Sequence, residues 1–118
     1  RVLDRLATAA RGRIINSALR MADLEATGTD SSHSEGIIDL LAQSETAEVA
    51  ILFKEQDAAT TRVSVRTKPG GVDATVLTGR FGGGGHARAA GATVEAPLPE
   101  AEQRVVAEAE RLVAAVRR

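Results

Sequence analysis

The sequence predicts an α/β domain: a small mixed β-sheet of about four to five strands with flanking helices, and a glycine-rich loop leading into a short helix. Three stretches carry this expectation. Residues 61–68 alternate, with Val63, Val65 and Thr67 pointing one way and Ser64, Arg66 and Lys68 the other, the pattern of a half-buried strand. Residues 48–54 are apolar on both faces, which suits a central strand. From about Glu100 onward, Val105, Val106, Ala109, Leu112, Val113 and Val116 fall on one side of a helix.

The remaining elements follow in order. Residues 2–11 place Val2, Leu3, Leu6, Ala9 and Ala10 at helical spacing, ended by Gly12, so residues 1–12 are a leading helix or the end of a linker. Residues 13–19 read as a strand, and a polar stretch containing Gly28 follows it. Ser32 and Glu35 form a capping box ahead of Ile37, Ile38, Leu40 and Leu41, which share a helical face. Glu55–Thr60 is a turn, and Pro69-Gly70-Gly71 breaks the alternating strand. Asp73 caps a short helix carrying Val76, Leu77 and Phe81. The glycines Gly82–Gly85 and His86 then open a small-residue helical turn through Ala90 and Gly91, and Ala92–Glu95 forms a last strand before the final helix.

Composition narrows the function. The 118 residues form one domain, large enough for a modest core. That core rests on small and branched aliphatics, because 22 of its 51 apolar residues are Ala and only Phe53 and Phe81 are aromatic. Two aromatics cannot build the stacking platforms of open-sheet single-strand binders. The absence of Cys removes disulfides, thiolate metal sites and cysteine nucleophiles. Nothing resembles a membrane span or a signal peptide, so no membrane partner and a cytoplasmic location are expected. The chain begins at Arg1 rather than Met, and is read as a piece of a longer protein.

Charge is balanced overall at −1 but not along the chain: Arg62, Arg66, Lys68, Arg80 and Arg88 face only Asp73 between residues 62 and 88. A basic stretch in an otherwise acidic chain is either a solvated face or a focused anion site. The neighbouring glycines bear on that choice. Four in a row serve as a tether or tight packing turn, or as a loop whose bare N–H groups approach a phosphate. The run is neither a P-loop nor a dinucleotide fingerprint, since no Lys-Ser/Thr follows it and no strand directly precedes it. His86 is then either a polar helix start or a phosphate donor, and His33, beside the cap, is a surface residue. Ser64, Arg66 and Lys68 supply a hydroxyl, a guanidinium and an ammonium in one row. If the glycine segment folds back beside that strand, the two sets converge. No spacing typical of metal ligands is present.

The stretch Gly82-Gly83-Gly84-Gly85-His86-Ala87-Arg88-Ala89-Ala90-Gly91 resembles the signature of the DHH-associated C-terminal domain, first subtype, of RecJ-like phosphoesterases. Ser64-Val65-Arg66-Thr67-Lys68 is similar to that family's Ser-x-Arg-Ser strand, with Thr67 where the family usually has Ser. Glu35–Ile38 and Val49–Glu55 resemble its helix and central strand, and Ala92 stands where a bulkier residue is usual. The likeness runs from about Arg13 to the C-terminus and is strongest to bacterial nano-RNA degrading enzymes that also hydrolyse 3′-phosphoadenosine-5′-phosphate (pAp).

The resemblance implies a substrate-binding lobe that closes over a metal centre, usually manganese, held by an N-terminal DHH domain whose Asp-His-His motif does not occur here. It implies no cofactor bound by this chain. Ser64, Arg66, the backbone of Gly82, Gly83, Gly84 and Gly85, His86 and Arg88 would hold the phosphates, with His86 nearest the scissile group and stabilising its charge. The implied partners are short RNA, pAp or a dinucleotide (linear or cyclic), the DHH domain itself, and a second copy of the chain. Two alternatives stand beside it: a tRNA-binding or dimerisation module similar to the C-terminal domain of alanyl-tRNA synthetases, and a packing turn with no ligand.

Overall fold

A computed structural model describes residues 7–9, 13–20, 31–43 and 47–116. The elements among them are β1 (Ala7–Ala9), β2 (Ile14–Leu19), α1 (Ser31–Leu41), β3 (Val49–Asp57), β4 (Thr60–Thr67), α2 (Ala74–Gly79), β5 (Gly84–His86), β6 (Ala89–Val94) and α3 (Leu98–Val116). The strands form one mixed sheet in the order β1-β2-β3-β4-β6-β5. Only β2 and β3 run parallel, as a crossover through α1 requires; the other neighbours are antiparallel.

The alternation along β4 decides which side of the sheet becomes core. Val63 and Val65 are buried with Val49, Ile51 and Phe53 of β3 and Ala90 and Val94 of β6. Onto this face α3 lays Leu98, Ala101, Val105, Ala109 and Val113, and α2 adds Ala74 and Leu77. Positions 101, 105, 109 and 113 recur every fourth residue, so one apolar stripe meets the sheet along the helix. The opposite face is covered differently. Ile38 and Leu41 of α1 seal Leu19, Ala50 and Leu52 on β2 and β3. Among the described residues no helix packs over β5 and β6 on that side.

Two buried hydroxyls are satisfied by backbone carbonyls. Thr61 donates its hydroxyl to the Ala96 carbonyl at 3.0 Å, fixing the start of β4 to the segment entering α3. Thr78 donates back to the Ala74 carbonyl at 3.1 Å within α2. Asp73 is the N-cap of α2 as expected, accepting from the Thr75 amide at 2.8 Å and from the Thr75 hydroxyl.

Several expectations need correction. Ala7–Ala9 form an edge strand paired with β2, not part of a helix; the free backbone groups along β2 are satisfied by pairing, which outweighs a weak helical pattern of small residues. Residues 1–6, 10–12 and the stretch around Gly28 lie outside the described residues. The α1 helix begins at Ser31, and Leu40 is 53% exposed, so Ile38 and Leu41, with Ile37 packed beside them, form its covered face among the described side chains. β3 runs on to Asp57, which shrinks the expected turn to Ala58 and Ala59. The final helix starts two residues early, at Leu98, and Val116 at its end is exposed. The largest correction concerns the glycines. They lead into the β5–β6 hairpin rather than a short helix, and this adds a sixth strand to a sheet expected to have four to five.

The Thr75 hydroxyl and amide bound to Asp73 hold its carboxyl below the usual carboxylate range. A depressed folded-state value means the cap stabilises above the ordinary Asp range and loses that contribution as pH falls through the folded value. Asp73→Ala is therefore expected to lower the melting temperature at pH 7. Thermal scans down to about pH 3 should show the gap to wild type narrowing; a gap independent of pH would contradict an ionised cap.

Candidate functional site

The expected convergence of the glycine segment and β4 occurs, with one strand between them. Register places Arg66 of β4 opposite Ala89 of β6, and Ala89 opposite His86 of β5. The next row is Ser64, Gly91 and Gly84. Directly opposed residues share a face, so both rows stand on the side away from α2 and α3. Ala89 and Gly91 form a low floor, with Arg66 and Ser64 on one bank and His86 and Gly84 on the other. Two strand spacings set the banks about 10 Å apart.

The glycines divide by what surrounds them. Gly82 has φ of 77° and Gly85 of 141°, conformations that side chains rarely adopt. A Cβ at Gly83 would lie 2.2 Å from the Gly91 carbonyl oxygen, and one at Gly85 would lie 2.7 Å from the Ala90 Cα. Gly84 differs: a Cβ there meets nothing within 4 Å. Its missing side chain is required by no neighbour and leaves room above the floor.

The amides of Gly82 and Gly83 donate to the carbonyls of Gly79 and Thr78 at 3.2 and 2.9 Å, closing the C-terminal end of α2. They hold the loop's own shape. Gly84, Gly85 and His86 instead form an edge strand, and antiparallel pairing turns alternate backbone groups toward an open edge.

The hairpin turn, Ala87-Arg88, is pinned from three directions. The Ala87 carbonyl accepts from the Ala74 amide at 2.6 Å and from the Thr67 hydroxyl at 3.0 Å, and the Arg88 carbonyl accepts from the Thr67 amide at 3.1 Å. Thr67 thus uses its hydroxyl to place the turn. Arg80, just after α2, pairs with Glu108 of α3 at 3.4 Å, and Glu108 also holds Arg111 at 2.7 Å. Glu108 is largely buried and its Oε2 makes no hydrogen bond, so Arg80 supplies its nearby countercharge. This pair fixes the glycine run where it leaves α2.

Arg66 is partly buried, its side chain 21% exposed, and Asp39 of α1 lies 3.4 Å from its Nε. Its Nη1 donates to the Val65 carbonyl at 3.3 Å. The guanidinium is thereby oriented along the edge of α1, although Asp39 is 65% exposed and the pair itself is weak. Arg88 and His86 are exposed. The side chain of His33, on α1, lies outside the described residues. Among the described residues, no three His, Asp or Glu side chains gather where they could hold a metal ion. None of the helices there is long and apolar enough to cross a membrane.

Asp39 and Thr93 carry no local signal in the sequence, and Arg62 stood out only as a member of the basic stretch. Arg62 was legible in principle, because it precedes Ser64 by two on the alternating strand.

Residues 12–115 match the model of the DHHA1 domain. The chain belongs to the DHHA1 domain family. Its fold recurs in an exopolyphosphatase-related protein of Bacteroides fragilis, with a TM-score of 0.85 and 18% identity over 99% of this chain and 34% of that one. It is also found in a pGpG-specific phosphodiesterase of Vibrio cholerae, with a TM-score of 0.58 and 12% identity over 96% of this chain and 36% of that one. The C-Ala domain of Aquifex aeolicus alanyl-tRNA synthetase aligns with a TM-score of 0.61 and 14% identity, covering 85% of this chain and 89% of that one. The DHHA1 chain thus spans about a third of the two longer proteins.

The two kinds of glycine separate by substitution. Gly83→Ala is expected to destabilise the DHHA1 domain by about 1–3 kcal/mol, the usual cost of overpacking against backbone. Gly84→Ala should leave the unfolding free energy nearly unchanged in denaturant melts. Equal losses would mean that Gly84 is held by packing as Gly83 is.

Proposed function

We propose that this DHHA1 domain is the nucleotide-holding lobe of a DHH phosphoesterase, gripping substrate phosphates over the low floor between β4 and β5. The observation that carries this reading is the single row of Arg66, Ala89 and His86, which sets two phosphate donors on either side of a residue too small to block them. Arg66 offers a fork already oriented by Asp39. Ser64 and the backbone around Gly84 and Gly85 add hydrogen bonds, Gly84 leaves space for the ligand, and Arg88 attracts it from the rim. Gly82 and Gly83 serve this site by shaping the turn.

His86, at the open edge, faces whatever domain closes over the sheet, and as a donor to the scissile phosphate it offsets the charge that develops there. The described residues hold no donor set that fits a divalent cation, so in this proposal manganese and its ligands belong to a DHH domain. The pGpG-specific phosphodiesterase among the structural neighbours supports a linear dinucleotide as the first ligand to test, with pAp and short RNA beside it. The C-Ala neighbour supports tRNA binding as the second reading.

Calorimetric titration of the 118-residue chain with pGpG and with intact tRNA separates the two. We expect the dinucleotide to bind, and Arg66→Ala and His86→Ala to weaken it by about 1–3 kcal/mol each, the size of a charge-assisted hydrogen bond. Neither variant should shift the melting temperature by more than a few degrees. Added manganese should not elicit hydrolysis by this chain. Tight tRNA binding without dinucleotide binding would favour the second reading, and turnover by the isolated chain would refute a catalytic centre elsewhere.

A further inference from the structure

His86 stands on an arm that its own sequence does little to fix. The glycines Gly82–Gly85 precede it, and glycine is the residue whose backbone is least restrained. β5 is only three residues long, and all of them are exposed. Its pairing with β6 ends at His86, opposite Ala89. Beyond that point the chain turns through Ala87 and Arg88, so the turn is the nearest place at which His86 can be held.

The fastenings of the turn differ in kind. Two are backbone amides, from Ala74 to the Ala87 carbonyl at 2.6 Å and from Thr67 to the Arg88 carbonyl at 3.1 Å. The third is the Thr67 hydroxyl, which donates to the Ala87 carbonyl at 3.0 Å. It is the one that a change of side chain removes. A valine there keeps the shape of the residue and leaves the carbonyl one donor short.

Thr67 does not reach the floor on which the ligand is proposed to lie. The pleat of β4 turns it to the side of Val63 and Val65, toward α2 and α3, while Ser64 and Arg66 face the floor. Its register partner on β3 is Val49, a residue of the core beneath α3. Arg66, next to it in the chain, is held by strands on both sides, opposite Ala50 of β3 and Ala89 of β6. An influence of Thr67 on the ligand therefore passes through the turn, and the residue beside the turn on β5 is His86.

We infer that Thr67 is a positioning residue for the nucleotide site, acting from the opposite face of the sheet by holding the hairpin tip and, through it, His86. The inference rests on the nucleotide-holding reading above and adds to it a residue that touches no ligand. Support of this kind from behind fixes the placement of a donor that its own strand leaves loose.

The test is calorimetric titration of the 118-residue chain with pGpG, comparing Thr67→Val and Thr67→Ser alone and combined with His86→Ala or Arg66→Ala. Thr67→Val should weaken binding about three- to tenfold, the range of one hydrogen bond, and Thr67→Ser should stay within about twofold of wild type. In the His86→Ala background the valine should cost less than about twofold more, whereas in the Arg66→Ala background it should keep its full effect. Ligand-induced shifts of the His86 imidazole protons should shrink in Thr67→Val, while those of the Arg66 amide persist. Thr67→Ala replaces the valine form if that form does not fold. Unchanged affinity in Thr67→Val, a loss that adds fully to that of His86→Ala, or no rescue by serine overturns the inference. In those cases the nucleotide-holding reading stands as long as His86→Ala and Arg66→Ala weaken binding on their own. If pGpG does not bind the wild-type chain, or His86→Ala leaves its affinity unchanged, the role of His86 falls and the inference falls with it.

Discussion

Close backbone contact between the glycine segment and β6 is the constraint on which this site depends. The Gly83 Cα passes so near the Gly91 carbonyl that no side chain fits between them, and Gly85 approaches Ala90 almost as tightly. Only because these positions are bare can β5 pair with β6. That pairing puts His86 in the same row as Arg66, across a floor one alanine high. A side chain at either position would push β5 from the sheet and part the two donors. The glycines therefore build the site chiefly through how closely they let strands approach.

The rest of the molecule secures that arrangement from behind. One face of the sheet is closed by α2 and α3, whose apolar stripe meets Val63, Val65, Ala90 and Val94. The other face is divided: α1 covers β2 and β3, while β6 and β5 stay open beside it. Ion pairs secure both faces at their margins. Arg80 and Glu108 fasten the exit of α2 to α3, and Asp39 ties Arg66 to α1. Such pairs contribute little to stability where they are exposed, but they fix where the glycine run begins and how the arginine fork is turned.

Elements whose side chains report burial were legible in the sequence. β4 shows its alternation, β3 its doubly buried run, and α3 its apolar stripe, and each is present with only its ends displaced. The hairpin was not legible, for two physical reasons. Glycines carry no side-chain period, so Gly84 and Gly85 cannot announce a strand. The turn Ala87-Arg88 also lacks the Asn-Gly or Gly-rich pair that usually marks a two-residue hairpin. Tertiary bonds from Thr67 and Ala74 hold this turn, and local sequence cannot show them. β1 failed similarly, because small apolar residues at helical spacing also suit a short edge strand beside β2. In the candidate site, the types of group were readable from Ser64, Arg66, the glycines and His86. Their spatial order, with β6 between the two sets, was not.

The central claim is that a nucleotide phosphate sits on the floor between Arg66 and His86, on the sheet face away from α2 and α3. Backbone amide shifts followed during a pGpG titration test it most directly, because they locate the ligand without any substitution. The largest shifts are expected at Ser64, Arg66, Gly84, Gly85, His86 and Ala89, with α3 residues such as Val105 and Ala109 unmoved. Shifts confined to the α3 face, or none at saturating ligand, would contradict it.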